Sequence, residues 1–198
     1  MRIKKIIALC KAMKVIMTKL TESETLMWIG DGCALYPAYG VPIMDGRDLL
    51  RMNDVGEDKI GEYQMLTGYV NFCADTKVRE YDKELIPLDA QITIAGIRLQ
   101  PFVVAGDPDA RMYYIDATYT APYGDNKDEK TYILKFDSMS IPLVMVFAGF
   151  TPLAAIAVVK PEYEQLSRVC GAMYRDAELQ IYRTPKIEEE QIELEERT

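Results

Sequence analysis

The sequence predicts an α+β protein dominated by antiparallel sheet, and three observations carry that prediction. From Tyr63 onward, stretches rich in β-branched and aromatic residues alternate with Gly, Pro and Asp punctuation. A stripe of apolar residues at helical spacing opens the chain, and a second such stripe follows Pro161.

In the first stripe, Ile3, Ile6, Ile7, Cys10 and Met13 recur along one face of residues 2–13, with Lys4, Lys5 and Lys11 between them, so an amphipathic helix with a basic outer face is expected. Val15 to Leu20 and Thr25 to Ile29 read as strands around the polar turn Thr21-Glu22-Ser23-Glu24, and a third strand runs from Cys33 to Tyr36. Pro37, Gly40 and Pro42 break regular structure. Asp45 is then placed to cap a short second helix that carries Leu49, Leu50 and Met52 and stops near Gly56.

Five strands are expected next, at Met65–Ala74, Gln91–Ala95, Ile97–Val104, Arg111–Thr120 and Lys130–Phe136. The almost wholly apolar run Ile141–Val159 is long enough to raise a membrane span. Pro142, Gly149 and Pro152 divide it, however, into two buried strands joined by a turn. Pro161 opens a further helix with Tyr163, Leu166, Val169, Cys170 and Met173 as its apolar stripe. Residues 1–184 are expected to form a single compact domain, or two halves at about 1–104 and 105–184, with 185–198 as an acidic tail.

The 198 residues include no histidine, which removes the commonest general base and the commonest metal ligand. The four cysteines, Cys10, Cys33, Cys73 and Cys170, stand far apart with no C-x-x-C pair. They sit in apolar contexts and read as reduced core residues of a cytoplasmic protein rather than a zinc or disulfide framework. No catalytic residue, metal ligand or cofactor is assigned, and a non-enzymatic protein is expected. A third possibility, a small hydrolase using carboxylates, has no spacing in its favour.

Several short features are candidate sites. Gly30-Asp31-Gly32 can place a carboxylate beside flexible backbone, but Asp-Gly supplies the positive φ of a tight turn, and the turn is the expectation. Asp107 with Asp109, and Asp125 with Asp128 and Glu129, lack the ligand ladder of a calcium loop and read as solvated loops. Tyr36, Tyr39, Tyr113, Tyr114, Tyr119, Tyr123 and Tyr132 read as sheet packing rather than base stacking, and Trp28 as a core anchor.

Charge is more informative. The formal net charge is −8, yet Arg2, Lys4, Lys5, Lys11, Lys14 and Lys19 all precede the first acid, Glu22. A lysine-bearing helix can lie along a phosphate backbone through non-specific, salt-sensitive contacts, or it can simply be a solvated face. The order of basic helix, strands, second helix and further strands resembles a domain of the DNA sliding clamps. The stretch Phe136-Asp137-Ser138-Met139-Ser140-Ile141-Pro142-Leu143-Val144-Met145, followed by Ala155-Ile156-Ala157-Val158-Val159-Lys160-Pro161, is similar to the closing strand pair of a bacterial clamp domain.

That resemblance implies two similar α+β halves, assembly of a homo-oligomeric ring, an acidic exterior and basic helices facing a central hole; origin in a phage or mobile element is a separate expectation. The resemblance makes the expected function that of a DNA-associated accessory protein akin to a processivity factor, with Lys4, Lys5, Lys11 and Lys14 meeting the phosphates of double-stranded DNA. The alternative is a protein-interaction or assembly module that binds no nucleic acid. Neither reading involves a membrane, and neither identifies a protein partner.

Overall fold

The computed structural model describes residues 3–70, 83–89, 92–94, 96–107, 111–123, 129–134 and 141–159. It is an α+β protein, with an N-terminal helix and a mainly antiparallel sheet of eleven strands among these residues. The expected helix after Pro161 and the acidic tail 185–198 lie outside the described residues, as do Cys73, Asp109, Asp125 and Asp128.

Helix α1 (Ile3–Met13) buries Ile6, Ile7 and Cys10 against strands β1 (Val15–Thr21) and β2 (Met27–Gly30), as its apolar spacing requires. Met13 departs from the expected stripe and is exposed. It is the last helical residue, and Lys14 behind it takes a left-handed φ of 55° that turns the chain into β1. Strand β3 (Ala34–Pro37) follows a tight turn after β2, and Cys33 is exposed rather than in the core because it belongs to that turn, whereas Cys10 is buried as expected. Helix α2 (Gly46–Arg51) starts as expected, with the Asp45 carboxylate accepting from the Asp48 N–H at 2.8 Å. One turn of helix, α3 (Glu57–Ile60), leads into β4 (Gln64–Val70).

The remaining strands are β5 (Lys83–Pro87), β6 (Ile92–Ile94), β7 (Ile97–Val104), β8 (Met112–Asp116), β9 (Glu129–Leu134), β10 (Leu143–Ala148) and β11 (Thr151–Ala157). The sequence reads Arg111–Thr120 as one strand, but β8 ends at Asp116 and residues Ala117–Thr120 wind into a 3-10 helix. The cause is local: the Asp116 carboxylate accepts from the Thr118 N–H at 2.8 Å and caps a turn instead of letting the strand continue.

The strands follow the order β4-β1-β2-β3-β11-β10-β9-β5-β7-β6, with β8 on the other side of β7. Every pairing is antiparallel except β1 with β4. A parallel partner needs a crossover connection, and β2, β3, α2 and α3 all lie between β1 and β4 in the chain. The pairing of β3 with β11 joins the first strands to the last described hairpin.

Strand β10 sits in the middle of the sheet and is buried on both faces, which is why its sequence is continuously apolar rather than alternating. Val144 and Val146 join the large core beneath α1 and α2. Leu143, Met145 and Phe147 join Trp28 on the opposite face. Tyr132 and Phe147 meet edge to face, 5.9 Å between ring centroids, as sheet packing of the tyrosines predicts. No helix among the described residues is long and apolar enough to cross a membrane, and the run 141–159 forms the hairpin β10–β11.

Gly30 sets the sharpness of the β2–β3 turn. A Cβ there would stand 1.7 Å from the Ala34 carbonyl oxygen, whereas a Cβ at Gly61 would meet nothing within 4 Å. In urea unfolding, Gly30→Ala is therefore expected to lower the midpoint severely or prevent folding. Gly61→Ala, at an ordinary φ of −64°, is expected to leave the midpoint unchanged or raise it slightly. Equal effects of the two substitutions would show that the Ala34 carbonyl does not press on this turn.

Candidate functional site

Three places could carry chemistry: the lysines of α1, a buried carboxylate beneath them, and the outer edge of β4.

The lysines proposed for phosphate contact do not form one free cationic row. Lys4 is exposed on the outer side of α1. Lys5 donates through Nζ to the Ala121 carbonyl at 3.0 Å, and Lys11 donates to the Asn53 carbonyl. Lys14 pairs with Glu62 at 2.8 Å and lies 4.8 Å from the centroid of the Tyr63 ring. That hydrogen bond with Glu62 holds the Lys14 ammonium above its ordinary pKa and holds the Glu62 carboxyl below its own. Both groups are open to water, so the pair itself adds little to stability. The helix is held down by the ammonium groups expected to reach outward. A sequence pattern cannot announce this, because two of the acceptors are backbone carbonyls.

Beneath α1, the Gly30-Asp31-Gly32 turn points its carboxylate inward, leaving Asp31 only 4% exposed. Oδ1 accepts from the backbone N–H groups of Cys33 at 3.0 Å and Ala34 at 3.1 Å, and Oδ2 accepts from the Tyr119 hydroxyl at 3.0 Å. Tyr36 in turn donates to the Tyr119 carbonyl at 2.7 Å, and the Cys10 thiol donates to the Gly30 carbonyl at 3.2 Å. Burial first, and the Asp31 charge second, push the Cys10 thiol up to about 12. The same two causes, in the same order, raise the hydroxyl pKa values of Tyr36 and Tyr119.

This cluster brings Asp31, Cys10, Tyr36 and Tyr119 together, and its chemistry is structural. Both carboxylate oxygens have donors, and Cys10 is held as a thiol, the form that is neither nucleophile nor metal ligand. Among the described residues, no group of three Cys, Asp or Glu side chains is arranged to hold a metal ion. Asp107 is engaged by Arg111 at 3.3 Å.

The third place was missed by the sequence reading, which treated Met65–Ala74 as one strand among many. Among the described residues β4 pairs only with β1, and its burial rises above intermediate only at Val70. The phase of the ladder is fixed at its start, where the Gln64 N–H donates to the Lys14 carbonyl at 2.9 Å. Backbone groups alternate sides along a strand. Gln64, Leu66, Gly68 and Val70 thus face β1, while Met65, Thr67 and Tyr69 turn their N–H and C=O groups to the side on which no described strand lies. The assignment agrees with β1, where Thr21 donates to Leu26 at 3.0 Å towards β2.

Met65 and Tyr69 are 37% and 56% exposed. In Gln64–Val70 no residue is charged, although 27% of the chain is. A long edge with no lysine or proline is what natural sheets ordinarily avoid, and the uncharged run is the one sequence signal that could have pointed here, although the edge position of β4 has no signal of its own.

No protein-family model matches the chain, and neither a curated protein nor a solved structure matches it.

The buried cluster makes a pH prediction. Cys10, Tyr36 and Tyr119 bind their protons more tightly when folded, so folding stability is fully present below the unfolded thiol value of 9.0 and falls as pH rises towards about 12. Urea midpoints from pH 7 to 12 are expected to stay level and then drop, with a shallower drop in Cys10→Ala. Tyr119→Phe, which leaves Asp31 short of one donor, is expected to cost about 1–3 kcal/mol at pH 7. An unchanged midpoint in Tyr119→Phe would contradict the arrangement.

Proposed function

We propose that this protein is a non-enzymatic interaction or assembly module that works by accepting an extended segment along β4. The observation that supports this reading best is the outward set of backbone donors and acceptors at Met65, Thr67 and Tyr69, on a strand without charge. Strand addition of this kind draws affinity from main-chain hydrogen bonds and selectivity from the side chains on alternate positions. Three further observations support a non-enzymatic reading: the sequence has no histidine, the Asp31 oxygens are occupied by donors, and Cys10 is kept protonated.

The rival is the clamp-like reading, in which Lys4, Lys5, Lys11 and Lys14 lie along duplex phosphates. Phosphates would have to draw Lys5, Lys11 and Lys14 away from Ala121, Asn53 and Glu62, so the edge of β4 is favoured.

An array of uncharged extended seven-residue peptides, probed with labelled full chain, separates the two. Binding is expected, with at least a tenfold loss in Thr67→Pro at an unchanged unfolding midpoint, because the Thr67 N–H lies away from β1. Lys4→Glu combined with Lys11→Glu should leave peptide binding intact. Peptides held equally well by Thr67→Pro, or no peptide held while duplex DNA binds and is released by salt, would overturn the proposal.

A further inference from the structure

We infer that the occupant of the β4 edge is the β4 edge of a second copy of this chain, antiparallel, about a two-fold axis that passes Thr67. The inference rests on the preceding reading of the edge as the interaction surface, and adds the partner and its register.

The ladder phase carries the argument. In an antiparallel pair, residues directly opposite either exchange both of their backbone bonds or exchange neither. An axis at Thr67 sets Thr67 against itself, Met65 against Tyr69 of the second copy, and Tyr69 against Met65. These are the three residues whose backbone groups face outward, so every outward N–H of both copies finds a carbonyl. An axis at Leu66 or Gly68 keeps the same phase, pairing Met65 with Thr67 or Thr67 with Tyr69 of the second copy, but leaves Tyr69 or Met65 without a partner among the three. An axis at Met65 or Tyr69 would leave part of the outward set uncovered.

The side chains agree with the backbone. Met65, Thr67 and Tyr69 share one face, since they alternate with Leu66 and Gly68. The axis lays the exposed Met65 thioether beside the exposed Tyr69 ring at both ends, a favourable sulfur–aromatic pairing.

Charge selects a second copy over a charged peptide. Gln64–Val70 carries no charge of its own inside a chain of net charge −8, and the two charges beside it, the Lys19 ammonium over Gly68 and Glu24, which accepts from the Tyr69 hydroxyl at 2.8 Å, are of opposite sign, so the edge as a whole favours neither an acidic nor a basic segment. Two identical neutral edges meet without a local clash, and the repulsion left between the two anionic bodies is long-range and screened by salt. Association should therefore strengthen with salt, opposite in sign to phosphate binding. A seven-residue edge falls short of the roughly 800 Å² per partner typical of stable interfaces, so the pair is expected to be weak and reversible. The two-fold closes at two copies and builds no ring.

Sedimentation of the full chain over a range of concentrations should show the average mass rising towards twice that of the chain, more readily at 0.5 M than at 0.05 M salt, an interval over which screening changes severalfold. Position 67 is exposed, so Thr67→Lys and Thr67→Glu should keep the parent unfolding midpoint. Each alone sets like charges against each other across the axis and should need at least tenfold more protein to associate. Mixed in equal amounts, the two should associate at least as readily as the parent, because only an axis at residue 67 places that side chain against itself. Association of Thr67→Lys alone at parent concentrations, or a mixture no tighter than its components, would overturn the inference. A full chain that stays monomeric while peptides still bind in a Thr67-dependent way would remove the second copy as partner and leave the edge reading standing. Loss of both would remove the two together.

Discussion

A carboxylate taken out of water must have its oxygens answered by donors, and Asp31 satisfies that demand by drawing together parts of the chain far apart in sequence. Two donors come from its own turn, and the third is the hydroxyl of Tyr119, 88 residues away. Once Tyr119 is fixed, Tyr36 reaches its carbonyl and Lys5 reaches that of Ala121, so the 3-10 helix Ala117–Thr120 is fastened across α1 and the β2–β3 hairpin. Cys10, on the inner face of α1, bonds to the carbonyl of Gly30 beside the same turn. The helix, the hairpin and the end of β8 are thereby held in one register over a continuous apolar core.

That arrangement also decides which surface remains for function. With α2 packed against β1 and β4, and Lys5, Lys11 and Lys14 bonded to Ala121, Asn53 and Glu62, three of the four candidate lysines are engaged by the fold. Among the described residues, what faces outward along β4 is the backbone of Met65, Thr67 and Tyr69 with their uncharged side chains. The parallel pairing of β1 with β4 puts β4 outermost, and the bond between Gln64 and Lys14 sets which of its groups point away. The candidate site is thus a consequence of topology more than of any residue type.

Much of the architecture was legible because it is written in periodicity. The apolar stripe Ile3, Ile6, Ile7 and Cys10 marks α1, Asp45 marks the start of α2, and the divided apolar run 141–159 marks the hairpin β10–β11. The misses share a different origin. Helix α3 is four residues long, too short for any periodic signal, and Ala117–Thr120 carries strand-like residues overruled by the Asp116 cap. The Asp-Gly turn was readable at Asp31, but not the burial of its carboxylate, because the answering hydroxyl lies in a distant segment. The engagement of Lys5 and Lys11 was equally hidden, since a carbonyl acceptor has no letter in the sequence. The position of β4 beside β1 is a long-range choice that strand propensity cannot express.

The account stands or falls on the alternation of backbone groups along β4, and residue-resolved amide hydrogen exchange in dilute solution observes it directly. Met65, Thr67 and Tyr69 are expected to exchange much faster than Leu66 and Gly68, which donate towards β1. Slow exchange at all five residues, or an alternation of the opposite phase, would contradict it.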